Sequence, residues 1–182
     1  MMKTKIIIMM TVIMLLGLPV ANGEIVVIDF ESLGILGDGG YLGSSSYSED
    51  GFTLTTSTEF GFIRKASTDS IALFSRYGND TISLGKEDGG IFDLLSIDFY
   101  PYAPSPTSIQ FIGTLYDGTT IYQSFPPYVG SECTVIFTDF FDLISVSWEV
   151  EGGYDQFDNI TIIPEPTTIL LFGLGGLMLR RC

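Results

Sequence analysis

Carboxylates are the side chains through which this sequence could do chemistry, because its 182 residues include 22 acidic side chains, eight basic ones and no histidine. Without histidine, a Ser-His-Asp triad in its ordinary form is excluded, and Cys133 lacks the usual partner of a thiol nucleophile. Zinc is disfavoured for the same reason, whereas calcium takes about six to eight oxygen ligands. Asp29 and Glu31 lie two residues apart, so on a strand they would point to one face.

The acidic side chains do not define a catalytic pair. Glycoside hydrolysis needs two carboxylates at a defined separation, and the sequence singles out no such pair. It also contains no Gly-x-x-x-x-Gly-Lys phosphate loop. We therefore expect a protein that is not an enzyme, and we keep a glycoside-active enzyme as the lower alternative. The formal net charge of −14 would repel nucleic acid, so no nucleic-acid partner is expected.

Tyrosines are the second set of side chains that could bind a ligand. Sandwich modules bind glycans on exposed aromatic side chains that are backed by polar groups. If the tyrosines of this chain act in the same way, the expected partner is an extracellular polysaccharide. In the alternative, the tyrosines only half-cover an apolar sheet and keep their hydroxyls in water. The candidates on predicted outward faces or in proline-rich loops are Tyr100, Tyr102, Tyr116, Tyr122 and Tyr128.

Strands, and not helices, are the elements that would position these side chains. Between residues 24 and 163 no segment has a convincing helical period, and short alternating or apolar runs are broken by glycine, proline, aspartate and serine. Asp117-Gly118 alone separates two such runs, which predicts a two-residue hairpin turn with positive φ at both positions. About nine or ten strands are expected, which favours an all-β, two-sheet jelly-roll-like sandwich over a small barrel.

Alternation along the strands predicts which side chains face the core. Cys133 shares its phase with apolar neighbours, which predicts a buried thiol. Asp158 shares its phase with two isoleucines, so its carboxylate would be buried and would need a partner. The inward positions are Ile144, Val146, Trp148 and Val150 in segment 143–150, and Leu95, Ile97 and Phe99 in segment 94–100.

The N-terminal segment 1–23 is typical of a secretory signal peptide. Lys3 and Lys5 precede the apolar stretch 6–18, and small residues follow up to Gly23. We expect an apolar helix that passes through the Sec translocon and is cut by signal peptidase before Glu24. The alternative is an uncleaved anchor. Residues 24–163 would then form one β-sandwich domain.

The C-terminal segment 164–182 begins with two prolines that oppose regular structure, so the folded domain should stop before Pro164. The apolar stretch 167–179 could enter a bilayer as a short hydrophobic helix, with Arg180 and Arg181 kept on the cytoplasmic side. Such a helix reaches only about 20 Å against an apolar bilayer core of about 30 Å, which favours a transient anchor. In the alternative, residues 169–179 are a buried element of the domain.

The proline-flanked tripeptide, the glycine-containing apolar segment and the final arginines resemble the PEP-CTERM sorting tail of exported bacterial proteins. In that family a membrane peptidase, an exosortase, is thought to recognise and process the tail. The resemblance implies a protein that is anchored in the membrane by its tail before processing and then reaches the cell surface or extracellular matrix. The sorting residues would be Pro164, Glu165, Pro166, Arg180 and Arg181.

Two short matches also resemble jelly-roll modules of the carbohydrate-binding type. Such modules often begin with a strand ending in Phe-Glu and end with a strand opening Phe-Asp-Asn-Ile, here at residues 30–31 and 157–160. The resemblance adds a glycan-binding module for exopolysaccharide as the alternative to our main expectation. That expectation is a non-catalytic structural or binding sandwich at the cell surface or in the matrix.

The same resemblance implies a structural calcium where the first and last strands meet. It would place Asp158 near Asp29 and Glu31, so Glu31 and Asp158 become the predicted ligands, with Asp29 or Asp155 assisting. Calcium is the one candidate cofactor, and the sequence establishes none. In the alternative, these acids belong to a solvated sheet edge and turn.

Overall fold

The computed structural model describes residues 23–34, 44–57, 62–67, 70–75, 80–101, 108–126, 133–150 and 155–165. The expected signal-peptide helix and C-terminal hydrophobic helix lie outside these residues, as do Pro166, Arg180 and Arg181. Within the described ranges, no helix is long and apolar enough to cross a membrane. Glu24–Glu165 forms one compact unit. Its described residues are built almost entirely of strands.

Twelve strands and one short 3-10 turn, Glu31–Leu33, lie within the described residues. All the strand pairs found there are antiparallel. The strands are β1 (Val26–Ile28), β2 (Ser46–Glu49), β3 (Phe52–Thr56), β4 (Phe62–Ser67), β5 (Ser70–Ser75), β6 (Asp80–Lys86), β7 (Phe92–Pro101), β8 (Ile109–Leu115), β9 (Thr120–Phe125), β10 (Cys133–Ile136), β11 (Leu143–Val150) and β12 (Asp155–Pro164). The expected all-β class is therefore confirmed.

The strands form two sheets that share one bridge. One sheet has the order β2-β3-β6-β11-β8-β9. In the other, β12 pairs with β7 on one side and with β5 and β1 on the other, while β4 and β10 lie outside β5 and β7. Leu143 of β11 lies opposite Phe92 of β7 and links the sheets. This arrangement confirms the expected two-sheet, jelly-roll-like sandwich.

Aromatic side chains from the inner faces of both sheets fill the space between them. Trp148 of β11 packs edge-on against Phe157 of β12, with ring centroids 5.3 Å apart. Phe111 of β8 packs against Phe99 of β7 in the same way, at 5.8 Å. All four side chains are almost completely buried. Edge-to-face ring pairs add to the stabilisation from burial, so this cluster joins the two sheets.

Two of the three register shifts in the ladders of β7, β8, β11 and β12 change the predicted inward pattern of β7 and β11. Opposite β12, β7 has an extra residue at Leu95, so Leu94 and Ile97 are buried while Leu95 is half-buried. Opposite β8, β11 has an extra residue at Ile144, so Leu143 is buried instead. The predictions of Leu95 and Ile144 as inward side chains are wrong, because one inserted residue reverses the phase of a strand. The prediction is confirmed for Ile97, Phe99, Val146 and Trp148, while the side chain of Val150 lies outside the described set.

The β8–β9 hairpin forms where the Asp-Gly pair predicts it, but with a different turn. The Leu115 N–H donates to the Thr119 carbonyl, and the Gly118 N–H donates to the Leu115 carbonyl, both at 2.9 Å. Gly118 has a φ of 85°, whereas Asp117 is not among the described residues with positive φ. The predicted two-residue turn is therefore wrong. A three-residue loop with glycine in the left-handed position is the next most common hairpin connection after the two-residue turns.

Cys133 opens β10, which among the described strands pairs with β7 alone and so lies at an edge of the second sheet. Its side chain is half-buried and packs against the core, while Val135 and Phe137 of the same phase are buried. The phase predicted for this thiol is confirmed. The predicted full burial is wrong, because the end of an edge strand is covered on fewer sides than its middle.

Candidate functional site

The outer face of the six-stranded sheet is lined mainly by hydroxyl groups. Apolar side chains point inward along its strands, and the alternating outward positions are mostly serine or threonine. We call this surface the hydroxyl face. Its residues are Ser46, Ser48, Thr53, Thr55, Thr81, Ser83, Gly85, Gln110, Ile112, Thr114, Thr120, Tyr122, Ser124, Ser145, Ser147 and Glu149. Serine and threonine supply eleven of these sixteen positions, so polar contact is the chemistry that the face offers.

The strand registers align the outward side chains of the hydroxyl face into rows across all six strands. Five neighbour spacings of about 4.8 Å give each row a length of about 24 Å. One row is Ser46, Thr55, Ser83, Ser147, Ile112 and Tyr122. The next is Ser48, Thr53, Gly85, Ser145, Thr114 and Thr120. Each row could therefore contact an extended ligand at several points.

Two hydrogen bonds connect hydroxyls within the hydroxyl face. The Ser48 and Thr53 hydroxyl oxygens lie 2.8 Å apart, and the Thr120 hydroxyl donates to the Tyr122 hydroxyl oxygen at 3.1 Å. Glu149 is the one charged side chain among the sixteen positions. A second carboxylate, that of Glu87, lies beside the face and accepts the Thr53 hydroxyl at 3.5 Å. In a chain with a formal net charge of −14, this surface therefore carries few charges.

The predicted glycan-binding tyrosines do not all lie together. Tyr122 lies on the hydroxyl face with an exposed fraction of 61%, and Tyr116 lies in the adjoining β8–β9 turn with 78%. Tyr100 belongs to β7 of the other sheet, so it does not share this face, and its side chain lies outside the described set. Tyr102 and Tyr128 also lie outside the described residues.

Sequence reasoning missed the serines and threonines of the hydroxyl face. The available signal was alternation of hydroxyl residues with buried apolar ones, as in segments 52–56, 80–86 and 143–150. A single strand of this kind is ordinary. The rows depend on the pairing of β3 with β6, of β6 with β11 and of β11 with β8, which are far apart in sequence, and local alternation does not contain that register.

Ser70 joins two of the acids that were predicted to bind calcium. Its hydroxyl lies within hydrogen-bond distance of Asp158 Oδ2 and 3.2 Å from Glu31 Oε1. Glu31 Oε1 also accepts the Ile71 N–H at 2.9 Å, while Asp29 Oδ1 accepts the Glu31 N–H at 3.1 Å. The first and last strands of the unit, β1 and β12, do lie side by side. The structure thus brings Glu31 and Asp158 to one hydroxyl group.

Asp158 is completely buried, as its phase predicts, and it has the partners that a buried carboxylate needs. Besides the Ser70 contact, its Oδ1 accepts the Asn159 N–H at 2.7 Å. Burial raises the pKa of Asp158 to about 6, and the charges of Asp98 and Glu31 add to the rise, while the two hydrogen bonds oppose it. A carboxylate with no exposed surface cannot reach a substrate, so the raised pKa does not make Asp158 a catalytic acid.

The calcium site remains a prediction. Glu31, Asp158 and Asp29 all accept hydrogen bonds from groups of the protein itself, so their placement does not require an ion. Asp155 begins β12, and its side chain lies outside the described set. A different trio, Asp93, Asp142 and Glu165, has carboxylate oxygens within 4.8 Å of one another, and no other described group of three acids is as close.

The first two residues of the predicted sorting motif are part of the sandwich. β12 continues through Pro164, which pairs with Phe92 of β7, and the Glu165 N–H donates to the Ile91 carbonyl at 3.1 Å. The expectation that the folded domain stops before Pro164 is therefore wrong. Proline is tolerated at position 164 because the N–H groups of a strand point alternately to its two sides. An N–H at this position would point away from β7, so proline removes no hydrogen bond to β7. On the other side, β1 pairs with β12 only as far as Ile162, so the described residues offer no ladder partner to position 164 there either.

Comparison with solved structures finds carbohydrate-binding modules of family 29. A variant of one module matches at 12% identity, over 78% of this chain and 92% of that chain, with a TM-score of 0.46. A variant complexed with mannohexaose matches at 10% identity, over 79% and 93% of the two chains, with a TM-score of 0.46. A variant complexed with cellulohexaose matches at 12% identity, over 79% and 92%, with a TM-score of 0.39. Likeness at this level does not determine a ligand for this chain.

No protein-family model matches the sequence, and no curated protein matches it. The class of protein that the structure itself defines is a two-sheet antiparallel β-sandwich with a hydroxyl-lined outer face that carries few charges.

Proposed function

We propose that this chain is an exported, non-catalytic β-sandwich protein of the cell surface or matrix that binds an uncharged polysaccharide on its hydroxyl face. The observation that carries the proposal is the pair of rows, mostly of serine and threonine, across six strands. Hydroxyl groups donate and accept hydrogen bonds, as sugar hydroxyls do, so a row offers many matched contacts. Tyr122 adds an aromatic ring at one end of a row, against which a sugar ring can pack.

Charge favours an uncharged ligand for this face. None of its sixteen positions is lysine or arginine, so the face has no cation for a carboxylate, sulfate or phosphate group. The formal net charge of −14 would in addition repel a polyanionic chain. Binding to a neutral glycan should therefore change little with ionic strength, because salt screens interactions between charges.

Affinity electrophoresis of the purified exported protein through gels that contain polysaccharides tests this function. Neutral glucans or mannans should retard the protein, and acidic polysaccharides should not. Mannohexaose and cellulohexaose, with which two variants of one similar module are complexed, are suitable soluble competitors. Retardation that persists unchanged between low and high salt would support an uncharged ligand.

One matched pair of variants locates the binding surface. Ser147→Glu places a charge and a longer side chain at the centre of a row on the hydroxyl face. Thr161→Glu places the same group on β12, facing away from the core on the other sheet. The first change should abolish retardation and the second should preserve it. Equal retardation of both variants would place the site elsewhere, and no retardation of the wild type by any polysaccharide would refute the function.

We infer export and sorting from the two chain ends. The support comes from the sequence: a signal-peptide pattern at 1–23, and the motif Pro164-Glu165-Pro166 followed by an apolar segment and two arginines. The partners would be the Sec translocon, signal peptidase and an exosortase-type membrane peptidase. Mass spectrometry of the native protein tests the inference. It should find a mature chain that begins at Glu24 and lacks the apolar segment 167–179, and a full-length chain would refute both cleavages.

A further inference from the structure

The sorting motif is attached to the sandwich through its backbone. Pro164 lies opposite Phe92 at the end of the β7–β12 ladder, and Glu165 adds one hydrogen bond beyond it, from its N–H to the Ile91 carbonyl. Glu165 is half-buried in this position. The first two residues of the tripeptide are therefore held as the end of a strand, and are not a linker outside the fold.

Acidic side chains surround the place where Glu165 lies. Asp93 follows Phe92 in β7, and its Oδ1 accepts the Asp142 N–H at 2.9 Å. The carboxylate oxygens of Asp93, Asp142 and Glu165 all lie within 4.8 Å of one another. Burial raises the pKa of Glu165, and the charges of the two aspartates raise it further. The backbone pairing thus holds Glu165 against electrostatic repulsion.

Little chain separates this strand end from Ile169, the first aliphatic residue of the apolar segment 167–179. Residues 166–168 lie between Glu165 and Ile169, and even a fully extended chain covers only about 14 Å over these four steps. An enzyme embedded in the membrane that binds residues 164–166 would therefore meet the sandwich itself. Detaching the two residues from β7 would add length to the link and expose the motif on both edges.

We propose that the sandwich restricts access to its own sorting signal, so that a processing peptidase can bind Pro164-Glu165-Pro166 only after Pro164 and Glu165 detach from Ile91–Asp93. This inference rests on the proposed sorting function. The repulsion among the three carboxylates makes detachment easier, so it sets how often the signal is available. Removing that repulsion should hold the motif more firmly and slow its processing.

Pulse-chase labelling of the full-length protein in its producing bacterium tests the inference. A Gly-Ser-Gly-Ser insertion between Ile163 and Pro164 frees the motif from β7 and should speed processing about threefold or more. The same insertion in the Asp117-Gly118 turn is the matched control, and it should leave the rate of processing unchanged. The double change Asp93→Asn with Asp142→Asn should slow processing about threefold, because the amides keep the shape of the site without its charge. Asp117→Asn, a charge removal in an exposed turn, is its control.

Hydrogen exchange of the Glu165 amide supplies a measurement that does not depend on the peptidase. The hydrogen bond to Ile91 should slow exchange about tenfold or more relative to an unstructured amide, and the Asp93→Asn, Asp142→Asn protein should exchange more slowly still. Exchange of the Glu165 amide at the rate of an unstructured amide would overturn the inference. Equal processing rates of the wild type and of the variant with the insertion between Ile163 and Pro164 would also overturn it. If neither protein is processed while the Glu165 amide is protected from exchange, the proposed sorting function is refuted. The pairing of the strand end with β7 is then still supported.

Discussion

Asp158→Asn should stabilise the protein at neutral pH and leave its stability nearly unchanged in acid. Asp158 is fully buried between Ser70, which contacts its Oδ2, and the Asn159 N–H, which donates to its Oδ1. Asparagine has the shape of a protonated aspartic acid and retains one acceptor and one donor group. The substitution therefore removes the buried charge while it preserves most of the local packing.

The sign and size of the effect follow from the pKa of Asp158. That pKa rises from 3.8 to about 6, chiefly because burial disfavours the charged form. The folded protein then holds this proton more tightly than the unfolded chain does, so stability falls as the pH rises from about 4 to about 6. At about 1.4 kcal/mol per pKa unit, the destabilisation above pH 7 is at most about 3 kcal/mol. Removing the charge should recover that amount.

Urea unfolding of the wild type and the Asp158→Asn variant between pH 4.5 and pH 8 measures the difference. The variant should gain up to about 3 kcal/mol at pH 8, and the gain should shrink steadily as the pH falls from about 6 towards about 4. Asp117→Asn is the control, because hydrogen bonds from Thr119 lower the pKa of that exposed carboxylate and no step between pH 5 and 7 is expected. A constant difference between Asp158→Asn and the wild type across this range would refute the reasoning.

Three further measurements test the core, the hairpin and the metal hypothesis. Gly113→Ala should destabilise the protein by about 1–3 kcal/mol in denaturant unfolding, because its Cβ would lie 2.8 Å from Leu143 Cδ2; unchanged stability would show that the hairpin shifts freely. Trp148, the one tryptophan of the chain, should emit at short wavelength and shift to the red on unfolding, whereas red emission from the native protein would contradict its burial. Millimolar calcium should raise the melting temperature if Glu31 and Asp158 bind it, and an unchanged melting temperature would remove calcium from the account.

Local pattern predicted much of the fold because strand alternation and turn residues act over a few positions. The inward phase of Val146 and Trp148 is confirmed, and the hairpin forms at Asp117-Gly118. The same reasoning failed at Leu95 and Ile144, where an extra residue in one strand shifts the ladder. Such a shift depends on the partner strand, so alternation within one segment does not contain it.

The candidate site was less predictable than the fold. Asp158 was expected to be buried with a partner, but that the partner is Ser70, 88 residues earlier, follows only from the pairing of β5 with β12. Glu165 was expected outside the domain and lies instead at the end of its last strand. Both placements depend on contacts between segments far apart in the chain.

The sequence by itself determined the strand-rich character of the chain, its acidic charge, its lack of histidine chemistry and the apolar segments near its two ends. These properties follow from composition and from periodicity over a few residues. Only the tertiary structure decided that Ser46 and Tyr122 belong to one row of the hydroxyl face, and that Pro164 and Glu165 belong to the sheet. The physical reason is that strand register is set by hydrogen-bonded partners distant in sequence, and it decides which side chains become neighbours.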